Sequence, residues 1–324
     1  MKFLSKEIIY LDHGATTAIK DEVLKEMIPY LKEQYGNPSS LYSLGRKSKK
    51  AIENARMQVA NAIKAKKSEI YFTSGGTESD NWAIKGVAKH YKNKGRHIIT
   101  SRVEHHAVIN TCKRLEKEGF EVSYLSVDKG GKISIEELKN TIREDTILIS
   151  VMMVNNEIGT IEPIKEIGEI AKERGIIFHT DAVQAVGSLS IDIDELGVDL
   201  LSISAHKFYG PKGIGALYIR KGIITDNLLD GGAQEKGKRS GTENISSIVG
   251  MGKAIEIATE NLEEYQQKMC YLRDETIGRI LKNIPNSYLN GHATDRLPGN
   301  VNIIFPKMEA ELMMLKLDQK GILV

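Results

Sequence analysis

Between residues 69 and 219 short apolar runs alternate with amphipathic stretches, and no other feature constrains the fold of this chain as strongly. The runs are Ile70-Tyr71-Phe72, His97-Ile98-Ile99, Val122-Ser123-Tyr124-Leu125, residues 147–154, Ile176-Ile177-Phe178 and Leu200-Leu201-Ser202-Ile203; residues 136–143 and 164–174 have helical spacing. Near-continuous apolar strands are buried on both faces. The expectation is therefore an α/β fold, with a mostly parallel sheet covered by helices on both sides. Gly215-Ala216-Leu217-Tyr218-Ile219 follows the preceding run too closely for a helical crossover, which predicts antiparallel pairing.

Beyond about Asn244 the apolar spacing becomes long and helical, through Ile248, Met251, Ala254, Ile255 and Ala258 to Leu262, Tyr265, Met269 and Leu272. This reads as one helix leading out to a smaller α+β domain, with a strand at 298–305 and a helix at 309–320. The expected division is a large domain at 15–255 and a small domain formed by 1–14 plus 256–324. Length and composition agree, since 324 residues with 41% hydrophobic content suffice for one large domain and a companion. The net charge of +2 creates no field for nucleic acid or membrane. Cys112 and Cys270 are too few for a disulfide framework and lack metal-ligand spacing, so no metal is expected. The charged start Met1-Lys2-Phe3-Leu4-Ser5-Lys6-Glu7 has no signal-peptide core, and no apolar stretch approaches the roughly 20 residues of a bilayer span. A cytoplasmic protein is expected.

Five polar clusters follow the strand-like runs: Ser74 to Thr77, His105, Asn155-Asn156, Asp181 to Gln184, and Ser204 to Lys207. In open α/β sheets ligands bind outside the carboxyl ends of the strands, so the five are expected to converge on one cleft. Lys207 at the mouth of an apolar run, an acid at Asp181 and a glycine-rich phosphate cradle at Gly75-Gly76-Thr77 are the parts that hold pyridoxal phosphate. In that reading Lys207 forms the Schiff base and later acts as a general base. Asp181 keeps the ring nitrogen protonated, and Gln184 bonds the phenolic oxygen. Ser204 and His206 suit the phosphate, and His105 stacks on the ring. Taken singly, each cluster has an ordinary alternative. Gly75-Gly76-Thr77 fits a helix N-cap, His106 competes with His105, and Arg239-Ser240-Gly241-Thr242 fits a surface turn.

Taken together, the motifs resemble the cysteine desulfurases of the NifS/IscS type, in the class V aminotransferase branch of fold-type I pyridoxal-phosphate enzymes. The matching segments run in family order from residue 10 to residue 242. They are Tyr10-Leu11-Asp12-His13-Gly14-Ala15-Thr16-Thr17, Gly36-Asn37-Pro38-Ser39-Ser40, Thr73-Ser74-Gly75-Gly76-Thr77-Glu78-Ser79-Asp80-Asn81, Val103-Glu104-His105-His106-Ala107-Val108, Val154-Asn155-Asn156-Glu157-Ile158-Gly159, His179-Thr180-Asp181-Ala182-Val183-Gln184, residues 204–215 and Arg239-Ser240-Gly241-Thr242. The resemblance implies that Gly76, Thr77, Ser204 and His206 hold the phosphate, that Lys207 carries the cofactor, and that Asp181, Gln184 and His105 hold the ring. It also implies that Asn156 contacts the phenolic oxygen or the substrate, and that Asn37 helps with the substrate carboxylate. Thr242 would reach the phosphate of a neighbouring subunit, which makes a homodimer the expected assembly. The implied reaction takes L-cysteine to L-alanine and a protein-bound persulfide. That sulfur would feed acceptor or iron–sulfur scaffold proteins.

One departure accompanies these matches. The family's sulfur-accepting cysteine and substrate-binding arginine follow a segment like Asp318-Gln319-Lys320-Gly321-Ile322-Leu323-Val324. The expectation is thus an incomplete small domain, with Cys112 and Cys270 as buried, inert thiols. Two rivals stand beside the desulfurase. One is another class V reaction, such as transamination or selenocysteine cleavage. The other is a non-catalytic homologue that acts as a dimerising scaffold.

Overall fold

The computed structural model describes residues 8–324. The charged start at Met1 to Glu7 lies outside them. Strand β1 (Ile9–Tyr10) leads through a turn into helices α1 (Asp21–Lys32) and α2 (Ser43–Ala62). There follow β2 (Ile70–Thr73), α3 (Gly76–Tyr91), β3 (His97–Ser101), α4 (His106–Glu116), β4 (Glu121–Leu125), α5 (Ile135–Thr141), β5 (Thr146–Ser150), α6 (Ile164–Arg174), β6 (Ile177–Asp181), β7 (Leu200–Ser204) and β8 (Gly215–Ile219). The chain closes with a one-turn α7 (Gln234–Gly237), then α8 (Ile245–Glu260), α9 (Leu262–Asn283), β9 (Tyr288–Leu289), β10 (Ile303–Ile304), α10 (Ala310–Asp318) and β11 (Ile322–Leu323).

Strands β2 to β8 form one seven-stranded sheet in the order β2-β8-β7-β6-β5-β3-β4. Neighbours from β7 to β4 are parallel, while β8 runs antiparallel to both β7 and β2. The expected α/β architecture and the antiparallel Gly215–Ile219 strand are both present. Successive strand residues enter opposite cores, which explains why the runs are apolar throughout. Ile99, Ile149, Phe178, Leu201 and Ala216 pack with Val59, Met251 and Ile255 of α2 and α8. Their neighbours Ile98, Leu148, Ile177, Leu200 and Leu217 pack instead with Trp82, Val87, Val108 and Leu115 of α3 and α4.

Local signals set the ends of several helices. Ser134 caps α5 by accepting from the Glu137 N–H at 3.2 Å. Gly175, at φ +62°, closes α6 with its N–H on the Lys172 carbonyl at 3.2 Å. Three expectations need correction. The long helical segment is two helices, because Asn261 leaves helical geometry at φ −126°, ψ +44° between α8 and α9. The strand expected at 298–305 shrinks to Ile303–Ile304, paired with Tyr288–Leu289. Its flanks carry Pro298, Gly299 and Pro306, and proline cannot donate to a ladder. The 147–154 run leaves the sheet after Ser150, where the Met152 N–H turns to the buried Glu104 carboxylate.

A candidate active site at the carboxyl ends of the strands

The glycine loop after β2 is built from small contacts. Thr73 Oγ1 and Ser79 Oγ lie 2.8 Å apart, and Ser79 Oγ donates to the Ala216 carbonyl at 3.1 Å, tying the start of α3 to β8. Gly75 adopts φ +153°, ψ +179°, a region open to glycine. A Cβ on Gly76 would meet Val183 Cγ2 at 2.7 Å. No side chain caps α3, so its first amides face outward with the positive end of the helix dipole. Thr16, Ser74, Gly75, Gly76, Thr77, Glu78, Ser204, His206, Lys212 and Gly213 line a cavity of about 360 Å³ there.

Lys207 sits in the turn after β7, where its Nζ donates to the Ala15 carbonyl at 3.0 Å and also to the Gly14 carbonyl. Gln184 Nε2 donates to the same Gly14 carbonyl at 2.9 Å, so Lys207 and Gln184 converge on one atom. Burial lowers the Lys207 ammonium from the usual lysine range, against the opposing pull of Asp181, Asp12 and Glu157. Burial, with the Lys207 and Lys212 charges, pushes His206 down to about 4, so its imidazole is neutral at pH 7. His206 Nδ1 lies 3.1 Å from Thr16 Oγ1.

Asp181 ends β6. Its Oδ1 accepts from the Val183 N–H at 2.9 Å, and burial raises its carboxyl above the usual range. His105 caps α4 through Nδ1, which accepts from the Ala107 N–H at 3.1 Å. A ring nitrogen of His105 and carboxylate oxygens of Asp80 and Asp181 all lie within 4.8 Å of one another. Asn156 is half-buried, with Nδ2 on Glu157 Oε1 at 2.7 Å, while its neighbour Asn155 is buried and braces its own turn through Oδ1.

Two of the expected residues stay outside this cluster. Asn37 is exposed in the turn before α2, where its Oδ1 accepts from the Ser39 N–H at 2.9 Å. Thr242 is exposed just before α8 and outside the cavity lining. The loop leading to Thr242 is nevertheless anchored firmly. Arg56 donates from both terminal nitrogens to the buried Glu235, at 2.6 and 2.8 Å, and Arg239 pairs with Glu78 at 2.8 and 3.0 Å. Cys112 is buried, and burial pushes its thiol up to about 12, but Cys270 is half-buried rather than buried. It lies on α9, whose only buried residue is Arg273.

Comparison with known proteins decides the family. The model of the family Aminotransferase class-V matches residues 9–324. The cysteine desulfurase IscS of Methanosarcina thermophila is 59% identical over 314 residues, spanning 97% of this chain and 78% of that protein. The chain belongs to the cysteine desulfurases. A solved structure titled NifS-like protein superposes on this desulfurase with a TM-score of 0.95 at 41% identity, covering 98% of this chain and 87% of that one. A second, titled SspA in complex with cysteine, gives 0.84 at 38% identity over 97% and 88% of the two chains.

Desulfurases of this family depend on pyridoxal phosphate, and the residues present fit it. A phosphate has an uncapped helix start, a glycine that admits close approach and hydroxyls at Thr77 and Ser204. A cationic ring nitrogen has the buried Asp181 carboxylate. Several residues of this neighbourhood carried no assigned role in the sequence reading. Lys212 and Thr16 line the cavity, and Asp80 lies among the carboxylates. Asp80 follows Thr77 by three helical positions, yet Thr77 is exposed and Asp80 buried, so helical spacing alone did not point to it.

Proposed function

We propose that this desulfurase converts L-cysteine and an acceptor thiol to L-alanine and a persulfide. The C–S bond of cysteine breaks, an S–S bond forms to the acceptor sulfur, and the acceptor's proton ends on the carbon released. Pyridoxal phosphate, when bound, supplies the electron sink for this chemistry. Gly76, Thr77, Ser204 and His206 would hold its phosphate, with His206 acting as a neutral hydrogen-bonding group. Asp181 and Gln184 would hold the ring, with His105 against it, and Asn156 and Asn37 would serve the substrate. Lys207 would hold the cofactor covalently and then carry the proton between Cα and its own Nζ. The observation that carries this reading is the depressed amine of Lys207, which meets Gln184 on the Gly14 carbonyl and is next in the chain to His206, a lining residue of the cavity of about 360 Å³.

Three further points belong to the same proposal. The chain divides at 15–255 and at 1–14 plus 256–324, supported by the parallel pairing of Ile9–Tyr10 with Ile322–Leu323. It works as a homodimer, in which the exposed Thr242 of one protomer reaches the phosphate of its partner. The persulfide sulfur passes to acceptor or iron–sulfur scaffold proteins. No helix among the described residues is long and apolar enough to cross a membrane.

The test is exchange of the Cα proton of L-alanine with deuterium from solvent, followed by NMR, together with borohydride trapping of the cofactor. The wild type should exchange the proton and be labelled at Lys207, and Lys207→Ala should do neither while keeping its far-ultraviolet spectrum. Covalent labelling that persists in Lys207→Ala would remove that lysine from the mechanism. Pyruvate in place of alanine from cysteine would instead point to transamination.

A further inference from the structure

Asp80 is a charged-type side chain without the partners that such a group needs. It lies on α3, is 1% exposed, and its Oδ1 has no hydrogen-bond partner. His179 Nε2 is 3.6 Å from that oxygen, beyond hydrogen-bonding distance. Both His179 nitrogens are already committed to hydroxyls, Nδ1 at 2.8 Å from Ser150 Oγ and Nε2 at 3.0 Å from Ser202 Oγ. Burial pushes His179 down to about 3, so it is neutral and brings no charge to Asp80.

The other titratable groups facing Asp80 are the acids Glu104 and Asp181 and the His105 imidazole. Glu104 is held by Ser101 Oγ at 2.7 Å and by the Met152 N–H at 2.8 Å, and Asp181 lies within 4.8 Å together with His105. Two buried carboxyls this close do not both ionise, because the second charge would be desolvated beside a like one. The neighbours decide which of them keeps the charge. Asp181 receives the Val183 N–H and the attraction of Lys207 and His105, all of which favour its ionised form. Asp80 has only the Ser202 hydroxyl in its favour, against repulsion from Asp181 and Glu104.

We propose that Asp80 and Asp181 form a buried pair holding one proton, carried by Asp80, and that Asp80 thereby positions Asp181 as the single carboxylate facing the cofactor's ring nitrogen. This rests on the reading of the cavity as the pyridoxal-phosphate site. Asp80 is a positioning residue; it acts on the ring through Asp181. The function it adds is charge control, since a second ionised carboxylate would pull the proton balance of the ring nitrogen with it.

The experiment compares wild type, Asp80→Asn and Asp80→Ala as holoenzymes. Its readouts are the dissociation constant for pyridoxal phosphate, the pH profile of the visible absorbance and the infrared band of protonated carboxyls at pH 7.5. Asp80→Asn keeps a neutral, hydrogen-bonding side chain of the same shape. It should hold the cofactor within about three-fold of wild type, leave the absorbance profile in place and lose one component of the infrared band. Glu104→Gln should remove a different component of that band. Asp80→Ala opens a gap beside Asp181, and should weaken the cofactor by about ten-fold and shift the profile. If Asp80→Asn is as damaging as Asp80→Ala and the infrared band is unchanged, Asp80 is ionised and the pair is overturned. If both variants bind and titrate like wild type and only the melting temperature drops, the role is structural and the pair is again overturned. A wild-type chain that binds no pyridoxal phosphate overturns the reading of the cavity itself.

Discussion

Glu104 is the residue whose protonation is most legible from its surroundings. It is buried, with Oε1 accepting two hydrogen bonds and Oε2 without a partner, and burial raises its carboxyl to about 8. Its folded value therefore lies above the ordinary 4.5 of the unfolded chain. The stability this group allows is present in full below about pH 4.5 and is lost as pH rises towards 8, because only the unfolded chain releases the proton there. Glu104→Gln keeps an oxygen for Ser101 and Met152 and has no proton to lose. The melting temperature of wild type relative to Glu104→Gln should fall progressively between pH 5 and pH 8, by an amount equivalent to a few kcal/mol at most. Parallel curves across that range would show that Glu104 is already ionised. His179 works in the opposite direction, since a neutral buried imidazole loses stability only as pH falls below about 6.5.

At the scale of elements, two glycines separate architecture from chemistry. Gly168 lies where α6 crosses residues 196–197, and a Cβ there would meet the Leu196 carbonyl oxygen at 2.1 Å. That contact is backbone, so α6 must move. Gly168→Ala should cost about 2–3 kcal/mol, measured by denaturant unfolding, without changing cofactor affinity in the folded fraction. Gly76→Ala should do the reverse. Its Cβ presses on Val183, two residues past Asp181, and cofactor affinity should fall about ten-fold while the melting temperature hardly moves. Equal losses of stability in the two variants would show that the glycine loop is a structural turn rather than a cradle.

These elements also mark what the sequence made legible. The strands of the large sheet announced themselves because both faces are buried, as Ile98 and Ile99 or Leu200 and Leu201 illustrate. Polar clusters after those strands pointed to their shared carboxyl end, where Ser74 to Thr77, Ser204 and His206 line the cavity and His105 meets Asp181. The strand order did not follow from periodicity, since non-local pairing leaves no local trace. Strand β9 and the break at Asn261 were likewise illegible, having neither length nor alternation, and β10 showed only as part of the longer strand expected at 298–305. Asp80 escaped for a different reason. In the sequence it is one polar residue of a helix, and only packing against β6 and β7 reveals that it is buried beside Asp181.

The whole molecule is tied together by a segment that the periodicity leaves blank. Residues 8–17 run from the small elements at the chain's end to Lys207. The Ile9 N–H donates to the Gly321 carbonyl and the Leu11 N–H to the Leu323 carbonyl, each at 2.8 Å. The Tyr10 hydroxyl then braces the turn through the Asp12 and Thr16 carbonyls at 2.8 and 3.0 Å. Past that turn, Gly14 and Ala15 receive Lys207, Thr16 meets His206, and Thr17 Oγ1 donates to the His206 carbonyl at 2.8 Å. One short stretch thus links β11 to the Lys207 amine, so movement of the small elements is expected to reach Lys207 through it. Ile9→Pro removes the donor to Gly321 and leaves the large sheet untouched. It should speed proteolytic cutting within residues 306–324 and loosen the cofactor by a few-fold, with little change in the far-ultraviolet spectrum. Faster cutting with unchanged cofactor affinity would show that β1 and β11 pair without any mechanical link to the lysine. Unchanged cutting would show that the pairing contributes nothing to the order of the chain's last elements.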